Sequence, residues 1–183
     1  MDWLHRLTGR IRHHAWSQAA HKPIAKGMWR GWPHATRIAI IFDANDDRTS
    51  LNAMREVVDY YKARQRHVTL CAWTDSYREK NNLFSGRQLV FMDDFNWRGE
   101  PQSGNALELV QSNFDILFTF NRKPSAPIDD LARRTPAGLR ITVGGKQDFY
   151  DIHLAEPDHL WSELVPLFET AGQWLQKIQN DNS

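Results

Sequence analysis

Residues 38–42 (IAIIF) are five apolar positions in a row, followed at once by Asp43. A short β-branched run bounded by turn residues predicts a strand buried on both faces. Asn45, Asp46 and Asp47 then supply a turn and a helix cap. From Ser50 onward Leu51, Met54, Val57, Val58 and Tyr61 recur at three- and four-residue steps, which predicts an amphipathic helix. Strand, polar turn and helix are the opening of a βαβ unit.

The alternation continues along the chain. Residues 67–73 (HVTLCAW) predict the second strand, 75–87 a polar loop, and 89–92 a short third strand. Ala106, Leu107, Leu109 and Val110 predict a short helix, and 114–120 (FDILFTF) the next strand. A helix over 128–134 has Pro127 near its first turn. Residues 139–143 predict a strand closed by Gly144 and Gly145, and 149–154 a final edge strand. Leu160, Trp161, Leu164, Val165, Phe168, Ala171, Leu175 and Ile178 keep helical phase, with Pro166 predicting a kink or a displaced start. The expected fold class is α/β: a three-layer, Rossmann-like or flavodoxin-like, mostly parallel sheet with helices on both faces. The expected organisation is a single α/β domain over 37–180, preceded by a basic, aromatic, helical and irregular arm over 1–36.

Charge sharpens that division. Residues 1–37 carry seven Lys/Arg and one acidic residue, a net of +6, while the remainder carries a net of −5. Trp3, Leu4, Leu7 and Ile11 follow helical spacing, with Arg6, Arg10, Arg12, His13 and His14 largely on the other side; Gly9 weakens this helix. Pro23, Gly27, Gly31 and Pro33 make the next stretch irregular, and in it Lys22, Lys26, Trp29, Arg30, Trp32 and His34 interleave cations with aromatics. Lys and Arg release counterions from a phosphate backbone, and Trp or Arg stacks on bases, so RNA is the expected partner. The competing readings are docking of the helix on its own domain or on a protein partner, attachment to an anionic membrane surface through Trp3, Leu4, Leu7 and Ile11, and an organelle transit peptide.

The 183 residues suit one domain with an appendage, and 41% hydrophobic residues suffice for a sizeable core. The single cysteine, Cys71, forms no internal disulfide and points to a reduced, cytoplasmic protein. No apolar run approaches the roughly 20 residues of a membrane span, and no apolar region marks a secretory signal at the N-terminus.

The basic arm, the IFDA that ends the first strand, DDFNWRGEP over 93–101, SNFDILFTF and GLRITVGG together resemble an uncharacterised family of small bacterial α/β proteins known only as a domain of unknown function. The resemblance spans about residues 37–178, and 93–101 is its most specific part. FDILFTF and GLRITVGG are also similar to the N-terminal half of heptosyltransferase-type glycosyltransferases, which implies a shared fold; the nucleotide-sugar-binding half of such enzymes has no counterpart here. Neither resemblance names a catalytic residue.

Ligands of open α/β sheets bind beyond the carboxyl ends of the strands. Those ends carry Asp43 with Asn45, Asp46 and Asp47, then Thr74 and Asp75, Asp93 and Asp94, Asn121 and Arg122, and Gly144, Gly145 and Lys146. Clustered carboxylates can hold Mg²⁺, but phosphoryl-transfer chemistry wants Asp-x-Asp after the first strand and this chain has Asp43-Ala44-Asn45. The plainer role of Asp46 or Asp47 is to cap a helix. No GxGxxG follows the first strand, and no GxxxxGK[ST] or GxSxG occurs, which argues against dinucleotide binding, P-loop hydrolysis and a nucleophile elbow. Cys71 falls inside a predicted buried strand, as a small apolar thiol does. His13, His14 and His21 lack zinc-site spacing. Gly144-Gly145-Lys146 reads as a turn before a phosphate cradle, and Trp97 equally as a contact residue or a loop anchor.

The first expectation is therefore a non-enzymatic binding protein without a cofactor, whose arm (Arg6, Arg10, Arg12, Lys22, Lys26, Trp29, Arg30, Trp32, Arg37) attaches to RNA or to a ribonucleoprotein such as the ribosome. The second is a domain or enzyme that takes a phosphorylated or nucleotide-like ligand at the strand ends, through Asp43, Asp94, Trp97, Asn121, Arg122 and Lys146.

Overall fold

In a computed structural model, the described residues are 2–18, 23–44, 48–78, 89–121, 125–157, 159 and 162–181; the side chains of 2–8, 48, 49, 51 and 179–181 are not among what is described. The elements run α1 (Asp2–Ser17), β1 (Arg37–Asp43), α2 (Arg48–Lys62), β2 (His67–Trp73), β3 (Leu89–Val90), α3 (Gly104–Gln111), β4 (Phe114–Phe120), α4 (Ala126–Arg134), β5 (Ala137–Val143), β6 (Ile152–Leu154) and α5 (Leu164–Asp181). The six strands form one sheet in the order β3-β2-β1-β4-β5-β6. Every pairing is parallel. The order turns at β1, with β2 and β3 on one side and β4 to β6 on the other, so the sheet is Rossmann-like.

Side chains alternate between the two faces of β1, as the pleat requires. Ile38, Ile40 and Phe42 enter the core that α2 covers with Met54, Val57 and Tyr61 and α5 covers with Leu164, Phe168 and Leu175. Ala39 and Ile41 enter the opposite core, shared with Leu109 of α3, Ile128 and Leu131 of α4, and Trp16 of α1. Helices thus cover both faces, and both halves of the alternation are apolar, which is why the run at 38–42 shows no polar positions. Pro166 lies in the first turn of α5, where its missing N–H has no helical partner to lose. No helix among the described residues is long and apolar enough to cross a membrane.

The third strand is shorter than its apolar run. After Val90 the chain enters a 3-10 turn at Met92–Asp94, and the Asp94 carboxylate accepts the Phe91 N–H at 2.9 Å. That bond draws the backbone of Phe91 out of the ladder.

The N-terminal segment is held to the domain at three points. Arg12 donates from Nε to the Asn96 carbonyl (3.1 Å) and from Nη1 to the Met92 carbonyl (2.9 Å). Trp16, one turn further on, is 2% exposed. Its indole N–H donates to the Gly99 carbonyl at 3.0 Å, and its ring meets those of Trp73 and Phe95 edge-on, at 5.6 and 5.3 Å between centroids. Farther along, the segment lies against the start of β5: Ala25 N–H donates to the Arg133 carbonyl and Gly27 N–H to the Ala137 carbonyl, both at 2.9 Å. The side chain of Arg140 is buried and ties the same place together, donating to the carbonyls of Thr135, Ala137 and Ala25.

Candidate nucleic-acid interface

Two glycines allow the segment that follows α1 to approach β5 so closely. A Cβ on Gly27 would lie 2.5 Å from the Ala137 carbonyl carbon, and one on Gly138 would lie 2.5 Å from the Met28 carbonyl group. Backbone meets backbone there, so no side chain can move aside to make room. The consequence is a fixed course for residues 25–30, which carries Lys26, Met28, Trp29 and Arg30 across the sheet edge. Met28 and Trp29 stay exposed.

The chain then turns through a 3-10 turn at Trp32–His34 and enters β1. Here Trp32 is anchored. Its ring packs against the Tyr61 ring (6.4 Å), and the Arg66 guanidinium lies 3.9 Å above it. Gly172 of α5 leaves it room. At the entry to β1, the Asp115 carboxylate accepts the backbone N–H groups of Thr36 (2.8 Å) and Arg37 (2.9 Å). These anchors leave a cavity of about 590 Å³ at the amino ends of β1 and β4. Lys26, Arg30, His34 and Arg37 line it, with Phe114 and Asp115 on the other wall. The Arg37 guanidinium lies 5.6 Å from the centre of the Phe114 ring. Three exposed cations on an anchored backbone therefore share this lining with one carboxylate, and that carboxylate already accepts two backbone donors.

Of the residues expected to meet RNA, Lys26, Arg30 and Arg37 come together in this cavity, and Trp29 lies in the same segment, partly exposed. Arg10 is exposed on α1. Arg12 and Trp32 are engaged in packing, as described above. Lys22 and the side chain of Arg6 lie outside the described residues. Sequence reasoning missed Asp115 in the cavity wall and Gly138 against the segment that carries the cations. Asp115 had a local signal, as the only charged residue of its strand; Gly138 had none.

The described residues among those expected at the strand ends have different surroundings. Asp94 is buried and fully engaged: its carboxylate accepts from Phe91 N–H, from Arg78 Nη2 at 2.7 Å and from the Ser103 hydroxyl at 3.1 Å. Trp97 is 56% exposed at the tip of the 93–101 loop, with the Arg98 guanidinium 4.7 Å from its ring centre. Gly144 has φ +78°, and the Gly145 N–H donates to the Thr142 hydroxyl at 3.1 Å, so this stretch is a turn that leaves Lys146 exposed. Asp43 ends β1, and Arg122 lies outside the described residues, as do Asn45, Asp46 and Asp47. No group of His, Cys, Asp and Glu that could hold a metal ion occurs among the described residues.

Asn121 belongs to a buried polar group that sequence reasoning did not find. Its amide donates to Asp129 Oδ1 at 3.0 Å, and the Tyr150 hydroxyl donates to the same oxygen at 3.0 Å. Burial raises the Asp129 carboxyl above the usual carboxylate range, against the pull of these donors. Burial also pushes the Tyr150 phenol up, which keeps it a donor. Asn121 Oδ1 is buried with no hydrogen-bond partner among the described residues. Beside this group lies a cavity of about 270 Å³ lined by His13, Trp16, Asp129, Arg133, Gln147 and Phe149.

No curated protein and no solved structure matches the chain. The model of a family of unknown function, DUF6913, matches residues 22–165, which take in the whole of the sheet and both walls of the basic cavity. The chain belongs to the DUF6913 family.

Proposed function

We propose that this protein is a non-enzymatic, cytoplasmic RNA-binding protein that attaches to RNA or a ribonucleoprotein, such as the ribosome, through the cavity at the amino ends of β1 and β4. The observation that supports this reading is the gathering of Lys26, Arg30 and Arg37 around one cavity by anchors that hold the backbone on either side. Cations placed in advance gain counterion release without the loss of chain freedom that a loose arm incurs. The net charge of −5 on the rest of the chain opposes non-specific coating of a polyanion and directs approach to the basic side. The exposed ring of Trp29 offers a stacking surface beside the cations.

The test is fluorescence anisotropy of a labelled single-stranded RNA across a salt series, with full-length protein and the double variant Lys26→Ala/Arg30→Ala. Both residues are exposed, so the variant is expected to keep the fold, which its urea unfolding midpoint checks. With three phosphates neutralised, the log–log slope is about −2 for a single strand, and the double variant flattens it by roughly 0.7 per cation, to about −0.7. Unchanged affinity and slope in the variant overturn the reading.

A second reading, a small phosphorylated or nucleotide-like ligand at the carboxyl ends of the strands, is favoured by the smaller cavity lined by Asp129, whose partner Asn121 keeps a buried Oδ1 without a hydrogen bond among the described residues. A ligand at about 100 times its dissociation constant stabilises the fold by roughly 2.7 kcal/mol. A thermal-shift screen of nucleotides, sugar nucleotides and Mg²⁺ that produces no shift removes it.

A further inference from the structure

Resting on the RNA reading, we infer that the basic cavity takes the phosphorylated end of an RNA strand, a terminal phosphomonoester, in preference to phosphates within the chain. Two features of the cavity lead to this. The first is charge. Lys26, Arg30 and Arg37 against Asp115 leave a net of +2 on the lining, with His34 as a further hydrogen-bonding group. A phosphodiester brings one negative charge, whereas a phosphomonoester carries about −1.5 to −2 at neutral pH and three strong acceptor oxygens. Only the monoester balances the lining from a single phosphorus. The second is size. At about 590 Å³ the cavity falls within the roughly 300–1,000 Å³ of small-molecule sites, room for a terminal nucleotide.

The orientation of Asp115 fits the same reading. Its Oδ2 accepts from Thr36 N–H and Arg37 N–H, so part of its charge is already met by backbone donors and weakens the cations less than an ion pair with them would. Arg30 and Arg37 present planar forks suited to two oxygens of one phosphate, and Lys26 adds a point charge. Trp29 follows Met28 of the lining and precedes Arg30, so an exposed ring adjoins the place where the first base would emerge.

The experiment uses the full-length protein and single-stranded RNA of one sequence, labelled at an internal base and made with a 5′-phosphate, with a 3′-phosphate or with hydroxyls at both ends. Anisotropy titrations give the affinities, repeated with Lys26→Ala/Arg30→Ala and with adenosine 5′-monophosphate as competitor. The expected result is at least tenfold tighter binding of one end-phosphorylated RNA than of the hydroxyl-ended strand. The double variant abolishes that preference, and the monophosphate displaces the strand. Equal binding of all three RNAs, with a salt slope that the variant flattens, overturns the end preference and leaves the RNA reading standing. Failure of every RNA to bind overturns both.

Discussion

The indole N–H of Trp16 donates to the carbonyl of Gly99 across 83 residues of sequence, and Gly99 holds φ +72° to present that carbonyl. A Cβ on Gly99 would come within 2.7 Å of the same indole nitrogen. One helix side chain and one loop glycine thus define how α1 sits on the sheet. The loop is shaped for this contact: Asn96 Oδ1 accepts the N–H groups of Arg98 (2.9 Å) and Glu100 (3.0 Å), which turns the chain so that Gly99 faces inward while Trp97 faces out.

Trp16→Ala is expected to destabilise the fold by about 3–5 kcal/mol, the range for emptying a buried tryptophan site. Trp16→Phe retains much of the ring packing and loses the hydrogen bond, for about 0.5–1.5 kcal/mol. Gly99→Ala is destabilising on its own, but in a Trp16→Ala background its clash disappears, so the double variant is less destabilised than the sum of the singles by roughly 0.5–3 kcal/mol. Urea unfolding of the four proteins measures this; strict additivity overturns the contact.

Gly138→Val forces a branched side chain into the Met28 backbone. The expected loss is about 1–3 kcal/mol or more, as for overpacking where nothing can yield. Because the same contact holds the course of residues 25–30, the RNA-binding proposal expects this variant also to bind RNA more weakly, although it removes no charge. Stability within about 0.5 kcal/mol of wild type, the usual range for neutral surface changes, counts against the close approach.

Asp129 gives a pH-dependent prediction. Its carboxyl is raised in the folded protein, chiefly by burial. A raised acid binds its proton more tightly folded than unfolded, so its contribution favours folding below the unfolded-state value and is lost as pH rises through the folded one. Asp129→Asn keeps an oxygen to accept from Asn121 and Tyr150 and removes the buried charge. The variant is expected to melt higher than wild type at pH 7, with the difference shrinking as pH falls through the raised folded-state value and gone below about 4, the ordinary range of the side chain. A variant less stable than wild type at pH 7 overturns this account.

Cys71 lies in the middle of β2, fully buried, and burial pushes its thiol far above the usual range. It is expected to resist a thiol-specific chromogenic reagent in native buffer at pH 8 and to react stoichiometrically in denaturant. Fast labelling of the native protein shows that β2 is accessible after all.

The sequence by itself determined the elements. His67–Trp73 and Phe114–Phe120 stand with the bounds their patterns predict, because a buried parallel strand must be apolar on both faces and such runs are unambiguous when turn residues close them. It also marked the cations Lys26, Arg30 and Arg37. Tertiary structure alone decided the strand order and which residues of the basic segment are anchored and which are presented. Helical periodicity sets Ile11 on the apolar stripe of α1, yet Ile11 is exposed while Arg12 and Trp16 face the domain. The reason is physical: the carbonyls of Met92, Asn96 and Gly99 that receive them lie about eighty residues away, on a loop whose shape local pattern does not encode. Trp29 and Trp32 are alike in sequence; Trp32 is held because Arg66 stacks on it and Gly172 leaves it room, and Trp29 has no such seat among the described contacts. Gly27 and Gly138, far apart in the chain, let two backbones touch, and that contact sets the course of the segment carrying Lys26 and Arg30.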